Sequence, residues 1–194
     1  MRSVLALSLL STVVLLAAPT AQAAPQALRH GADRAEVRAV IGAPAVSLAM
    51  PVTNTDWSVA LSARLPAQHF AGWVGRSKVL RKNGAGFFGV GAAAGAFATG
   101  LEAGGGLAVD LWLTGGWRGD VGSVVFALSA PIAAGYGSLT GLGVRVPIQA
   151  EMSLAAELNS MASIGVVLSG GAVWASGFGV SLDANVGLLL RVAL

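Results

Sequence analysis

The chain contains no cysteine and only two histidines among its 194 residues. Without cysteine it can form neither disulfides nor thiolate metal sites, and it has no thiol nucleophile. His30 and His69 have no carboxylates at a spacing that would complete a metal site, so we interpret each as a solvated loop residue. We therefore expect a non-enzymatic protein with no catalytic residues, no cofactor and no metal.

Charged residues are also scarce. They make up 11% of the chain, against ~25% of an average soluble domain, and the mean hydropathy is +0.72. A water-exposed surface could hardly be built from so few charges. The two basic clusters, at residues 29–38 and 76–82, are not interleaved with aromatic side chains. We interpret both as solvated loop charge and expect no nucleic-acid partner.

The first residues have the order of a secretory signal peptide. Arg2 precedes an uncharged run, Pro19 ends that run, and Ala21 and Ala23 put small residues where signal peptidase cuts. The apolar run is short for a membrane span. We therefore expect export and cleavage after Ala23.

The strongest pattern in the chain is an alternation with period two. Every second residue of segment 142–158 is apolar, and the same holds for segment 178–194. This period is typical of strands and not of helices. The intervening positions hold small residues and a few charges, so each strand has one apolar face.

Shorter alternations and turn signals divide the chain from residue 46 onward. Asn83 and Gly84 form a strong hairpin-turn dipeptide. The better segments together give about eight strands, spaced as in all-β chains.

The glycine- and alanine-rich segment 86–106 is ambiguous. On a membrane helix its glycines would form a packing face of small residues, whereas in a narrow barrel they would leave room for bulky side chains of neighbouring strands. The four glycines at nearly four-residue spacing are Gly91, Gly95, Gly100 and Gly104.

Three architectures compete for this pattern. A soluble lipocalin-like barrel should have Lys, Glu, Asp and Thr on its polar face, where this chain has mostly Gly, Ala and Ser. A glycine-rich helical membrane protein could use the uncharged stretches 121–144 and 161–182 as spans, but both contain repeated glycines. A closed, antiparallel transmembrane β-barrel needs few charges and leaves no strand edge unpaired, so we favour it.

The favoured division has a signal peptide (1–23), a leader that is flexible or forms one helical turn (24–45) and an all-β barrel domain (46–194). Small or charged positions then face the lumen, where we expect the charges to pair because an unpaired buried charge is costly. The predicted lumen charges are Asp110, Arg145, Glu151, Glu157, Asp183 and Arg191. The tryptophans available as membrane-interface anchors are Trp57, Trp73, Trp112, Trp117 and Trp174. Of these, Trp112 falls on the predicted inner face.

The last ninety or so residues resemble the C-terminal half of small bacterial outer-membrane β-barrel proteins, the class around the eight-stranded transmembrane domain of outer-membrane protein A. The resemblance is carried by GLGVRVP at 141–147, LAAEL at 154–158 and LDANVGL at 182–188. It implies the outer membrane of a Gram-negative envelope as the location. It also implies the lipid bilayer and the outer-membrane assembly machinery as partners. Such proteins usually end on an aromatic residue, and this chain ends on Leu194.

These observations predict a structural or interaction protein of the outer membrane, with a filled lumen and loops that contact a protein partner. The alternative is a small passive, porin-like pore, whose lumen charges would line water instead of pairing.

Overall fold

The computed structural model describes residues 26–29, 35–52, 55–64, 69–100, 103–137, 141–177 and 179–194. The predicted signal peptide and His30 lie outside these residues. Within them, one helical turn precedes eleven strands. In chain order they are α1 Gln26–Arg29, β1 Glu36–Ala43, β2 Ala45–Pro51, β3 Trp57–Arg64, β4 His69–Asn83, β5 Gly86–Thr99, β6 Gly104–Arg118, β7 Gly122–Ser129, β8 Ile132–Gly137, β9 Gly141–Glu157, β10 Ala162–Ala175 and β11 Gly179–Ala193.

The strands form a closed antiparallel barrel. Apart from β7 and β8, each strand pairs with its neighbours along the chain, and β1 pairs with β11 to close the ring. Strands β7 and β8 both lie between β6 and β9 and follow one another along the same path. They are separated at Pro131, which has no N–H to contribute to the ladder.

The eleven described strands therefore occupy ten positions around the barrel, and the expectation of about eight strands is wrong. The additional strands come mainly from the start of the chain. Strand β1 and the first residue of β2 lie inside the segment 24–45 that was expected to be a leader. The barrel thus begins at Glu36, and the helical turn α1 is what remains of that leader among the described residues.

Period two determines which residues face inward, as predicted. In β9 the odd-numbered residues face the lumen and include the buried Glu151 and Ser153, while Leu154 and Ile148 are exposed on the outside. In β11 the inward row includes Leu189 and Arg191.

The helical alternative is wrong for both candidate spans. Stretch 121–144 forms β7, β8 and the start of β9, and stretch 161–182 forms β10 and the start of β11. Glycines interrupt both stretches, and alternate residues face opposite sides of the wall. No helix in the described part of the chain is long and apolar enough to span a membrane.

The outer surface of the barrel is a broad apolar band. Its large exposed side chains come from nearly every strand and include Leu61, Leu107, Leu111, Phe126, Ile132, Ile148 and Leu182. Exposed aromatic residues stand toward both ends of the wall. Trp57 and Trp117 lie toward the end where β1 begins and β11 ends, and Tyr136 and Trp174 lie toward the other end. Trp73 and Trp112 face the lumen instead and are buried.

Every connection between consecutive described strands has one to five residues. The turn at Asn83 and Gly84 is the predicted one, and Gly84 has a φ of 57°, which favours glycine. A wall with such short connections presents little surface other than its outer face and its two openings.

Candidate functional site

The lumen is the most unusual part of this molecule, and glycines in β5 make room for what fills it. Gly91 lies directly opposite Trp112 of β6, and Gly95 lies directly opposite Trp73 of β4. A Cβ at Gly95 would come within 2.5 Å of the Trp73 indole, and one at Gly91 would overlap Trp112. The two indoles therefore occupy the space that Cβ atoms at these glycines would need, and they are 3% and 2% exposed. This arrangement agrees with the narrow-barrel interpretation of the glycine-rich segment.

The helical turn α1 lies inside the lumen. Leu28 packs against Gly75 of β4, where a Cβ would come within 2.7 Å of a Leu28 methyl group. At the other end of the turn, Gln26 Nε2 donates a hydrogen bond to Ser169 Oγ of β10, at 2.6 Å. Gln26 Oε1 accepts one from Asn185 Nδ2 of β11, at 2.9 Å. The turn thus spans the lumen from one side of the wall to the other.

Arg29, the last residue of α1, lies between two carboxylates in the middle of the barrel. Its Nε and Nη2 donate to Asp110 Oδ2 of β6, at 3.0 and 2.7 Å. Its Nη1 donates to Glu151 Oε1 of β9. The side chains of Arg29 and Asp110 are fully buried, and that of Glu151 is 1% exposed. We call these three residues the Arg29 triad.

The triad explains why so short a helical turn can stay in place. Removing charges from water is costly, and the attraction between them offsets that only when each charge has close, well-directed partners. One guanidinium between two carboxylates provides such partners. The triad therefore joins the N-terminal segment to two strands on one side of the wall.

A second set of charges lies at the terminal end of the lumen, where β1 begins and β11 ends. Arg118 Nη1 lies 3.1 Å from Glu36 Oε1, and Arg191 Nη2 donates to Ser123 Oγ at 2.6 Å. Arg38 faces the same region, and all these side chains are almost completely buried.

A third set lies at the opposite, distal end of the lumen. Arg64 of β3 and Asp183 of β11 form a two-point ion pair, with N–O distances of 2.6 and 3.0 Å. Next to it His69 is buried and stacks on Phe97, with ring centroids 5.2 Å apart. The interpretation of His69 as a solvated loop residue is therefore wrong.

The predicted lumen charges are distributed over all three sets. Asp110 and Glu151 are in the Arg29 triad, Asp183 is at the distal end and Arg191 is at the terminal end. The remaining two, Arg145 and Glu157, are half-buried on the inward row of β9, near its two ends. Asp110, Glu151 and Asp183 each pair with an arginine outside the predicted set.

Sequence reasoning missed those arginines. Arg29 belongs to the basic cluster 29–38 that we interpret above as solvated loop charge, yet it is 0% exposed, and Arg38 of the same cluster is 2% exposed. Arg64 lies on the inward row of β3 but outside the predicted set of lumen charges. Strand β1 carries a usable signal, because Glu36, Arg38 and Val40 alternate with Val37, Ala39 and Ile41. Its inward row is charged because the lumen is polar. The mixed polarity of this segment therefore fits a barrel strand and not a leader.

Comparison with known proteins adds little to this description. No protein-family model matches the chain, and no curated protein matches it. Among solved structures the chain is similar to the KdgM porin, with 10% sequence identity over 82% of this chain and 98% of that chain, at a TM-score of 0.42. A TM-score this low does not establish a common fold.

Proposed function

We propose that the protein is an integral outer-membrane β-barrel whose lumen is closed by its own N-terminal segment. In this role it is a non-enzymatic structural component of the membrane, not a pore. The apolar outer band supports the membrane location. In water this much apolar surface would be exposed to solvent, whereas in a bilayer it contacts lipid. The aromatic residues toward both ends of the wall agree with two membrane–water interfaces.

The observation that carries the closed lumen is the complete burial of Arg29 between Asp110 and Glu151. In a water-filled pore such charges would be hydrated and exposed, whereas here they contact one another and exclude solvent at mid-barrel. Trp73 and Trp112 are also buried on the lumen side of the wall. This supports a filled lumen over the passive-pore alternative.

The wall is a better candidate for interactions than the loops. Connections of one to five residues give a protein partner few side chains to bind. The outer face offers far more surface, and lipid is the partner that its composition suits. Assembly by the outer-membrane machinery remains part of the proposal, since a closed barrel has to be inserted as a unit.

Conductance in planar bilayers tests the proposed function. We expect no stable unitary steps from the intact protein, because the triad and the two indoles block the lumen. Deleting residues 26–29 removes α1 and leaves Asp110 and Glu151 facing the vacated space. That variant is expected to give small, reproducible conductance steps.

The control for conductance is Arg81→Gln, which changes an exposed charge near the end of β4 and is expected to leave the bilayer silent. Folding of each variant is checked by the mobility shift between heated and unheated samples on gels. Discrete, reproducible steps from the intact protein would refute the closed lumen and favour the passive pore.

A charge on the outer band tests the membrane location. Leu111 lies at the middle of β6 and is 60% exposed. Leu111→Arg should destabilise the folded protein in lipid vesicles by about 2–4 kcal/mol, because the arginine would lie near the bilayer midplane. Leu142→Arg, at the distal end of β9, should change it by about 0–1 kcal/mol, because charge is tolerated near the interface.

Urea titrations of both variants in vesicles measure the difference between these positions. Equal effects at Leu111 and Leu142 would contradict a band that spans the bilayer, since depth would then have no influence.

A further inference from the structure

The outer wall has a step where β3 begins at Trp57 and the neighbouring β4 extends further toward the terminal end. The last residue pair between these strands joins Trp57 and Arg76. Beyond it β4 runs on to Asn83, paired only with β5 on its other side. The step brings an aromatic side chain and a basic side chain together at the edge of the apolar band.

A groove runs from this step across the outer face of the barrel. It has a volume of about 1090 Å³. Its apolar lining comes from five strands and includes Val74, Val90, Leu111, Leu113, Leu128 and Ile148. These side chains face away from the lumen, so the groove opens toward the surroundings of the barrel.

The head of the groove is cationic. Among the described residues that line it, Arg76 and Lys78 are the charged ones, and Trp57 stands beside them. Arg76 also forms an ion pair with Asp56, at 2.6 Å, but both side chains are more than half exposed. Such exposed pairs are weak. One aspartate also cannot cancel two basic side chains, so this end of the groove keeps a net positive charge.

Two features of this arrangement match one kind of ligand. Arg76 and Lys78 are two residues apart on one face of a strand, which separates their Cα atoms by about 7 Å, so both can contact one phosphate group. The groove next to them offers an apolar surface to a hydrocarbon chain. A tryptophan beside basic residues is also typical of the headgroup level of a bilayer.

We propose that this groove binds an anionic glycerophospholipid. Its phosphate lies between Arg76 and Lys78, and an acyl chain runs along the groove past Val90 and Leu113. The proposal rests on the membrane location proposed above. Free phosphate lacks the acyl chain, so it would use only the cationic head of the site.

Native mass spectrometry of the full-length mature protein in detergent tests the site. The probes are phosphatidylglycerol and phosphatidylcholine with identical acyl chains. The intact protein should retain phosphatidylglycerol about tenfold better, given about 1 kcal/mol for each basic residue near an anionic headgroup and the competing Asp56.

The double variant Arg76→Gln with Lys78→Gln should abolish that preference. Its matched control is Arg81→Gln with Lys82→Gln, which removes the same charge from the same strand outside the groove and should keep the preference within about twofold. Both variants retain the lumen residues, so a shift in gel mobility on heating should show that each is folded.

Three results would overturn the lipid site. One is an equal loss of preference in both double variants, which would mean non-specific attraction to the basic strand. Another is displacement of phosphatidylglycerol by inorganic phosphate at equal concentration. The third is a dimer whose formation excludes the lipid, which would assign the groove to a second copy of the chain. A folded protein that stays soluble without detergent would instead contradict the proposed membrane location, and this result is distinguishable from the three above.

Discussion

Replacing Arg29 with methionine is expected to destabilise the barrel by about 3–5 kcal/mol, which is the usual effect of breaking a buried ion pair by removing one partner. Methionine fills a similar volume but leaves Asp110 and Glu151 with a buried negative charge that Arg29 no longer compensates. Neither carboxylate can reach bulk water, because both lie at mid-barrel with at most 1% of the side chain exposed. The measurement is a urea titration in lipid vesicles, followed by tryptophan fluorescence.

Two further variants separate the charge effect from simple loss of packing. Adding Asp110→Asn and Glu151→Gln to Arg29→Met removes the negative charge that Arg29 balances in the original protein, so the triple variant should recover part of the lost stability. Arg76→Met breaks the exposed pair with Asp56 and should change stability by less than about 1 kcal/mol. An Arg29→Met protein within about 1 kcal/mol of the original would show that water reaches the triad, and the closed lumen would then be wrong.

The alternation of apolar residues predicted the strands well where the outward apolar row is long, as in β9 and β11, even though the inward rows of both strands carry charges. In β9 and β11 each residue's face follows from its position in the chain, because successive side chains on a strand point to opposite sides. The same rule applies in β1, but Glu36 and Arg38 on the inward row made the segment resemble a solvated leader. A short strand with charges on its inward row is therefore hidden from an argument based on hydropathy, and this is why the strand number was too low.

The candidate site was predictable only in part, for a related reason. Asp110 and Glu151 lie on strands, so period two places both of them on the lumen side. Arg29 comes from a helical turn and lies 81 and 122 residues away from them along the chain. No local pattern connects such distant positions, and only the closed barrel brings them together. The same applies to Arg64 and Asp183, which are 119 residues apart.

Replacing Gly91 with valine should destabilise the barrel by about 1–3 kcal/mol or more, which is the usual effect of overpacking a filled interior. Strand propensity alone predicts the opposite sign, because valine favours strands and glycine disfavours them. The space at Gly91 decides between the two effects. A Cβ there would overlap the Trp112 indole, and that indole cannot move aside because it is 2% exposed inside the filled lumen.

Ala92→Val is the matched control, since Ala92 is the next residue of the same strand and faces outward. It should leave stability unchanged or raise it slightly. In a Trp112→Ala background the obstructing ring is absent, so Gly91→Val should lose its destabilising effect, and the double-mutant cycle should give a coupling energy within the 0.5–3 kcal/mol seen for contacting residues. Additive effects of the two substitutions would place Trp112 away from Gly91 and would remove the indole from the proposed seal of the lumen.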